Sequence, residues 1–225
     1  NLKDFLGTAS CQGHLTCVKQ DENQCPFSGN IGPILIEMEA ADLIIFASPV
    51  HCFSVSTLMK NFIDLLVYKM HRPTFFGKKA IVVTTAAGAG QKPVLKYMSD
   101  TFSKWGFEVI GRLGSHAGVF NAPVYPEKLD TTLTSLVKSC RKAMERTELP
   151  KPGLADLINF RVWRSVVKRS RHNNIKDWEY WSEKGWLDAD YYYPTQISWL
   201  PNLMANFIEG MITRSIKNVT MKPIT

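Results

Sequence analysis

The sequence predicts an α/β fold, a doubly wound parallel sheet followed by a helical, aromatic-rich C-terminal extension. Three observations carry this. Between residues 33 and 124, segments of helical period alternate with short apolar runs, the pattern of repeated βα units. The runs themselves, such as Leu43-Ile44-Ile45-Phe46, are continuously apolar, as strands covered on both faces are. Beyond Leu149-Pro150-Lys151-Pro152-Gly153 the composition changes: Trp163, Trp178, Trp181, Trp186, Trp199 and the run Tyr191-Tyr192-Tyr193 all lie there.

The elements follow in order. Residues 33–41 read as a helix, with Ile34, Leu35, Met38 and Ala41 at helical spacing. Residues 43–46 form a strand that Ser48-Pro49 ends. Residues 56–68 suit a helix with Leu58, Met59, Phe62, Ile63, Leu66 and Val67 on one broad face. Residues 80–85 are a second buried strand, ending in the small-residue loop Ala86-Ala87-Gly88-Ala89-Gly90. A helix over 93–105 closes at Gly106, where a left-handed residue is wanted. Residues 107–113 are the next strand, and 127–146 a helix whose apolar stripe is Leu129, Leu133, Leu136, Val137 and Cys140. Two prolines and a glycine within residues 149–153 mark a boundary. The chain is therefore read as a domain over 1–149 and an extension over 150–225, with helices near 154–170 and 203–217.

Composition narrows the function classes. With 225 residues, 45% hydrophobic and 21% charged, the chain is neither disordered nor fibrous. Its longest apolar runs fall well short of the ~20 residues of a spanning helix, and residues 1–10 lack the pattern of a secretory signal. Five cysteines, an odd and sparse set, do not make a disulfide framework; a cytoplasmic location is expected. A formal charge of +7 permits nucleotides or phosphates as partners.

A parallel sheet binds ligands beyond the carboxyl ends of its strands. Two loops fall there, 48–56 and 84–90, both rich in small residues whose backbone amides can approach a flat or anionic ligand. The second is neither a phosphate-binding Gly-Lys-Ser/Thr loop nor a complete G-x-G-x-x-G. It also reads simply as a tight strand-to-helix turn.

The stretch from Ala41-Asp42-Leu43-Ile44-Ile45-Phe46-Ala47-Ser48-Pro49-Val50-His51 through Val55-Ser56-Thr57-Leu58-Met59-Lys60-Asn61-Phe62-Ile63-Asp64 resembles the NADPH-dependent FMN reductase family, within the flavodoxin-like superfamily. The likeness covers residues 1–113. It rests on an aspartate opening a buried strand, a Ser-Pro-Val turn, a small-residue loop and a helix with Lys60, Phe62 and Asp64. His71-Arg72-Pro73, Phe75-Phe76-Gly77-Lys78-Lys79-Ala80 and the Thr84-Thr85 strand end continue it. His51 stands where the family usually has Tyr, and Leu65 where it often has Arg. Residues 1–5 look like the end of a second strand, so the first strand and its phosphate loop are expected to precede the residues given.

The resemblance implies a flavodoxin-like fold, bound FMN and NAD(P)H as cosubstrate. It assigns the flavin contacts to Pro49, Val50, His51, Cys52, Phe53, Ser54 and Val55, and to Thr85, Ala86, Ala87, Gly88 and Gly90. It implies a cytoplasmic oxidoreductase, a homodimer or homotetramer, that passes hydride from nicotinamide to flavin and on to a flavin, quinone or other small aromatic acceptor. Hydride transfer needs no acid–base residue, so no catalytic side chain is expected. The alternative is a non-enzymatic iron–sulfur flavoprotein that shuttles electrons between protein partners.

That alternative turns on Cys11, His14, Cys17 and Cys25. Their spacing, C-x2-H-x2-C-x7-C, is similar to the cysteine segment of iron–sulfur flavoproteins and is compatible with an Fe–S cluster or zinc. A segment without metal is the favoured reading. Cys52 is expected to be a small buried thiol, and Cys140 a core residue.

In the extension, Arg161, Arg164, Lys168 and Arg171 share one helical face. A solvated face is the leading expectation, and an anionic partner such as NADPH phosphate the second. Membrane-surface contact by this tail is a minor reading, and nucleic acid is not expected. The tail's tryptophans are expected to pack it onto the core or a second subunit.

Overall fold

Asn1 caps a first helix, α1 (Leu2–Leu6), its side chain accepting the Lys3 N–H at 3.1 Å. The strand expected over these residues is therefore absent. A capping residue followed by a short amphipathic turn selects helix, and Leu6 is fully buried to hold it. After α2 (Thr16–Lys19) and a 3-10 turn at Glu22–Gln24 comes α3 (Ser28–Ala40). It starts earlier than the sequence suggests and carries Pro33 within it. In this computed structural model, residues 1–116, 126–171 and 174–217 are described, with the side chains of 126–129 and 215–217 left aside. The stripe residue Leu129 falls outside the described side chains.

Strand β1 (Leu43–His51) turns through Cys52-Phe53 into β2 (Ser54–Val55), pairing Val50 with Val55 and His51 with Ser54. Helix α4 (Thr57–Leu65), a 3-10 turn at Val67–Met70, β3 (Lys79–Ala86), α5 (Gln91–Lys104), β4 (Glu108–His116) and α6 (Pro126–Glu145) complete the first unit. The sheet order is β2-β1-β3-β4, with β1, β3 and β4 parallel. A Cβ on Gly111 of β4 would meet Leu136 of α6, and one on Gly114 would meet Leu95 of α5. Residues three apart on a strand point to opposite faces, so α5 and α6 cover opposite sides of the sheet. This is the doubly wound, flavodoxin-like arrangement.

The core of this unit is aromatic. Phe46 stacks on Phe102 at 3.6 Å between centroids, and Phe75 stacks on Phe107 at 4.4 Å. Trp105 meets Phe62 and Phe102 edge-on. All six are buried, each contributing roughly 1.5–3 kcal/mol of burial. Gly106 has φ +107°, and a Cβ there would lie 3.0 Å from the Phe75 and Phe76 nitrogens. That close approach lets Trp105 O accept the Thr74 and Phe75 N–H groups at 3.1 Å. Cys140 is buried on α6, whereas Val137 is 64% exposed, so the apolar stripe there is only partly used.

One expectation about β1 fails. Ile45 is 61% exposed, not covered on both faces. Among the described residues, β1 bonds along 43–49 to β3 on one side only, and Ile44 and Ile45 line a groove of about 510 Å³ with Ile34, Met38 and Leu58.

The contacts divide the chain into two compact units, Asn1–Cys17 with Glu22–Leu149, and Val18–Asp21 with Pro150–Thr225. The second contains α7 (Leu154–Arg169), α8 (Ile175–Glu183) and α9 (Trp199–Lys217). Phe160 stacks on Trp181 at 5.5 Å, Trp181 meets Trp186 edge-on, and the Trp186 Nε1–H donates to Tyr192 O at 2.8 Å. The tail's aromatics thus build a core of its own.

The basic face of α7 is solvated only in its second half, where Lys168 and Arg171 are exposed; Arg161 and Arg164 turn inward, which corrects the leading expectation for them. Arg161, 4% exposed, donates to Asn202 at 2.7 Å and to Asp190 at 3.0 Å, and also bonds Asn206. Arg164 grips both Glu209 oxygens, at 3.1 and 2.7 Å, and Ser165 donates to the same carboxylate. Burial pushes the Glu209 carboxyl up, but the bonds and charge of Arg164 outweigh it and hold it below its usual range. Lys168 pairs with Asp188, and Arg171 lies over the Trp178 ring. The inward cations need such partners; α9 supplies Asn202, Asn206 and Glu209, and the segment before it supplies Asp190.

If the stacked aromatics hold the first unit together, Phe102→Ala destabilises it by about 3–5 kcal/mol in urea unfolding followed by fluorescence. Val137→Ala changes it by less than about 0.5 kcal/mol.

Candidate functional site at the strand carboxyl ends

The two loops singled out in the sequence meet in the structure. Pro49 of β1 is the register partner of Thr85 of β3, and Ser48 of Thr84. A chain of hydroxyl contacts holds this end of the sheet. The buried Thr84 Oγ1 donates to Ser48 O at 2.7 Å. Ser48 Oγ accepts the Ser56 N–H at 3.0 Å and donates to Ser56 Oγ at 3.3 Å. Ser56 Oγ in turn accepts the Met59 N–H, capping α4. Two strands and a helix start are joined by three short side chains.

The hairpin turn is strained. Cys52 and Phe53 both have positive φ, 49° and 62°. Both central residues of the tightest hairpin turn need that conformation, but glycine or asparagine normally supplies it. Strain of this kind, about 1–3 kcal/mol per residue, collects at functional sites. Here it leaves Cys52 exposed and Phe53 70% exposed. The expectation of a buried Cys52 thiol is thus wrong, because the left-handed turn projects it outward.

Gly90 joins the second loop to the first. It has φ +103°, and a Cβ there would stand 2.7 Å from Val50 Cγ1 and 3.3 Å from the Phe53 ring. It is also the N-cap of α5, a helix with no side-chain cap and no acidic residue in its first turn. The positive pole of a 14-residue helix therefore opens here with no acidic residue in its first turn, a ready place for negative charge. Gly88 has open space where a side chain would be. Thr85, Ala87 and Gly88 are exposed beside it, as are Pro49, His51 and Ser54 on the hairpin. Val55 and Ala86 are buried and can serve the site only through backbone and packing.

The fit to a flat, partly anionic cofactor is good on these observations. An exposed aromatic ring, a floor of small residues and an uncapped helix start lie side by side.

The cysteine segment sits elsewhere in the same unit. Asn61 on α4 clamps it, accepting the Cys11 N–H at 2.9 Å and donating to Ala9 O at 2.7 Å. The buried Arg72 bonds Cys17 O and donates to Glu22 at 3.0 Å. Neither clamp was singled out in the sequence; both span some fifty positions, and neither residue has a local signature. Cys17 is buried, Cys11 and Cys25 half-buried, and His14 exposed. Burial pushes the Cys17 thiol up, with the nearby Cys25 and Cys11 adding to it and Arg72 opposing. Among the described residues no group of three or more His, Cys, Asp or Glu side chains stands where it could hold a metal ion. As placed, Cys11, His14, Cys17 and Cys25 do not fit a cluster. Nor is any helix among the described residues long and apolar enough to cross a membrane.

Comparison with known proteins gives a consistent picture. The profile of the family described as NADPH-dependent FMN reductase matches residues 1–120. The chain is 30% identical over 178 residues to the iron-sulfur flavoprotein of Archaeoglobus fulgidus, covering 79% of each. It is 31% identical over 106 residues to an FMN-dependent NADH:quinone oxidoreductase of Vibrio vulnificus, 43% of this chain and 51% of that one. An enzyme of the same description from Escherichia coli is 36% identical over 64 residues, 24% of this chain and 32% of that one. The chain thus spans about half and about a third of these two oxidoreductases.

The hydroxyl chain predicts that Ser48→Ala destabilises the first unit by about 1 kcal/mol, the cost of leaving the half-buried Ser56 N–H without its acceptor. Urea titration against Ser54→Ala, an exposed hairpin position, checks it.

Proposed function

The chain belongs to the NADPH-dependent FMN reductase family, and on that premise we propose that it is an FMN-dependent NAD(P)H oxidoreductase working at the Pro49–Gly90 surface. The observation that carries this is the meeting of the strained hairpin with the uncapped start of α5 at Gly90. Bound FMN would supply the chemistry, taking hydride from a nicotinamide and returning it to a small acceptor such as a flavin, a quinone or another small aromatic.

The chain's own residues do the rest. Phe53 and the hairpin backbone offer one wall, with Pro49, Val50, His51, Cys52 and Ser54. Thr85, Ala87, Gly88 and Gly90 offer a floor that a flat ring system can approach closely. The N–H groups at the start of α5 and in its preceding loop stabilise negative charge on the bound ring, an effect that needs only fixed donors. No side chain is asked to move a proton. Val55 and Ala86 anchor the two loops from below. We place the protein in the cytoplasm as a homodimer or homotetramer, with nucleotide cofactors and a small-molecule acceptor as its partners.

A second reading, the electron-shuttling iron–sulfur flavoprotein, is favoured by the similarity to the Archaeoglobus protein. Against it, among the described residues no three of these side chains stand where they could hold a metal ion. Iron and acid-labile sulfide assays on anaerobically purified protein separate the two readings. Stoichiometric iron would favour the shuttle.

The flavin reading predicts FMN absorbance in the purified protein or on reconstitution, and its rapid loss on adding NADH or NADPH without oxygen. Gly90→Ala, with positive φ and a clash against Val50, should weaken FMN about tenfold or more. Gly88→Ala, in open space, should leave the apoprotein's stability within about 0.5 kcal/mol while still weakening FMN. A colourless protein that NAD(P)H does not affect would contradict it.

A further inference from the structure

Helix α9 is inside out. Its polar residues Asn202, Asn206 and Glu209 engage Arg161 and Arg164 of α7. Because those buried cations claim the polar stripe, the apolar stripe faces away. Leu200 is 49% exposed, Leu203 59%, Met204 43%, Phe207 69% and Met211 53%, with Trp199 at 76%. A helix in water normally has the reverse arrangement, and an apolar patch of this extent marks an interaction site.

We propose that this face pairs with the same face of a second copy of the chain, as an antiparallel helix pair about a two-fold axis. The proposal deepens the homo-oligomer part of the functional reading and stands whether or not flavin binds. Three observations select this occupant. First, the spacing 200, 204, 207, 211 is a four-three-four seam, the pattern by which two helices interlock. In an antiparallel pair, Leu200 meets Met211 of the other copy and Met204 meets Phe207. The same two contacts recur across the axis, as a self-complementary interface requires.

Second, the area is sufficient. Six large side chains on α9 stand 43–76% exposed, a face on the scale that a stable interface of about 800 Å² per partner draws on. Third, the seam carries no charge of its own: from Trp199 to Met211 the one charged residue, Glu209, is held by Arg164, and the cations Arg214 and Lys217 come only in the following turns.

Sedimentation equilibrium of the full chain tests this without any variant: a reversible dimer is expected. M204K and F207E, each placing an unpaired charge in the seam, should raise the dimer dissociation constant about 100-fold or more, with the helical circular dichroism unchanged. Mixing the two variants should restore a heterodimer, since residue 204 of one copy faces residue 207 of the other. A wild-type protein that stays monomeric at high concentration would overturn the proposal. So would a dimer that both variants preserve. Loss of helicity in the monomeric variants would assign the face to the chain's own packing. Binding to anionic vesicles that the variants abolish would assign it to a lipid surface. None of these readouts depends on flavin, so the failure of this proposal and that of the flavin reading are distinguishable.

Discussion

The candidate site depends on three hydroxyls. Thr84, Ser48 and Ser56 tie the end of β3 to the end of β1 and the start of α4. Without them, the carboxyl end of the sheet would have two strand ends and a helix start meeting at unpaired polar groups. With them, the hairpin beyond Ser48 leaves the sheet in one direction and can hold a strained turn. That strain is tolerated only because both ends are fixed. Gly90 completes the arrangement from the other side. Its missing side chain admits Val50 and the Phe53 ring, so hairpin and α5 start share one surface.

The second unit shows the same dependence in electrostatic form. Arg161 is almost wholly buried, and a buried guanidinium is costly unless its donors are met. Asp190, Asn202 and Asn206 meet those of its two terminal nitrogens, while Nε has no partner among the described residues, and Glu209 takes Arg164. The orientation of α9 follows from those bonds. Its apolar side is left outward by the need to satisfy cations inward. An aromatic cluster around Trp181 then packs the unit independently of that choice.

Much of this was legible in the sequence, and the failures have physical causes. The parallel strands could be read because 43–46 and 80–85 are apolar runs of strand length. Gly106 could be read as left-handed because it closes a helix. The loops at 49–55 and 85–90 could be located because strand ends locate them. The hairpin could not be read: Cys52-Phe53 carries no glycine or asparagine, and two residues of β2 leave no alternation. The hydroxyl chain was illegible because Ser48 and Thr84 lie thirty-six positions apart. For the arginines, spacing revealed one face but not its partner, since Glu209 is forty-five positions from Arg164 and charge patterns are read within a helix. Residues 1–5 were misread as strand because family order outweighed the local cap at Asn1.

The central claim is that the hairpin and the start of α5 form one cofactor surface. Amide chemical-shift mapping of the isotopically labelled chain titrated with FMN tests it most directly. The account predicts saturable shifts concentrated in the amides of residues 50–54 and 86–91, with those of α7 and α9 unmoved. Shifts confined to other residues, or none at millimolar FMN, would contradict it.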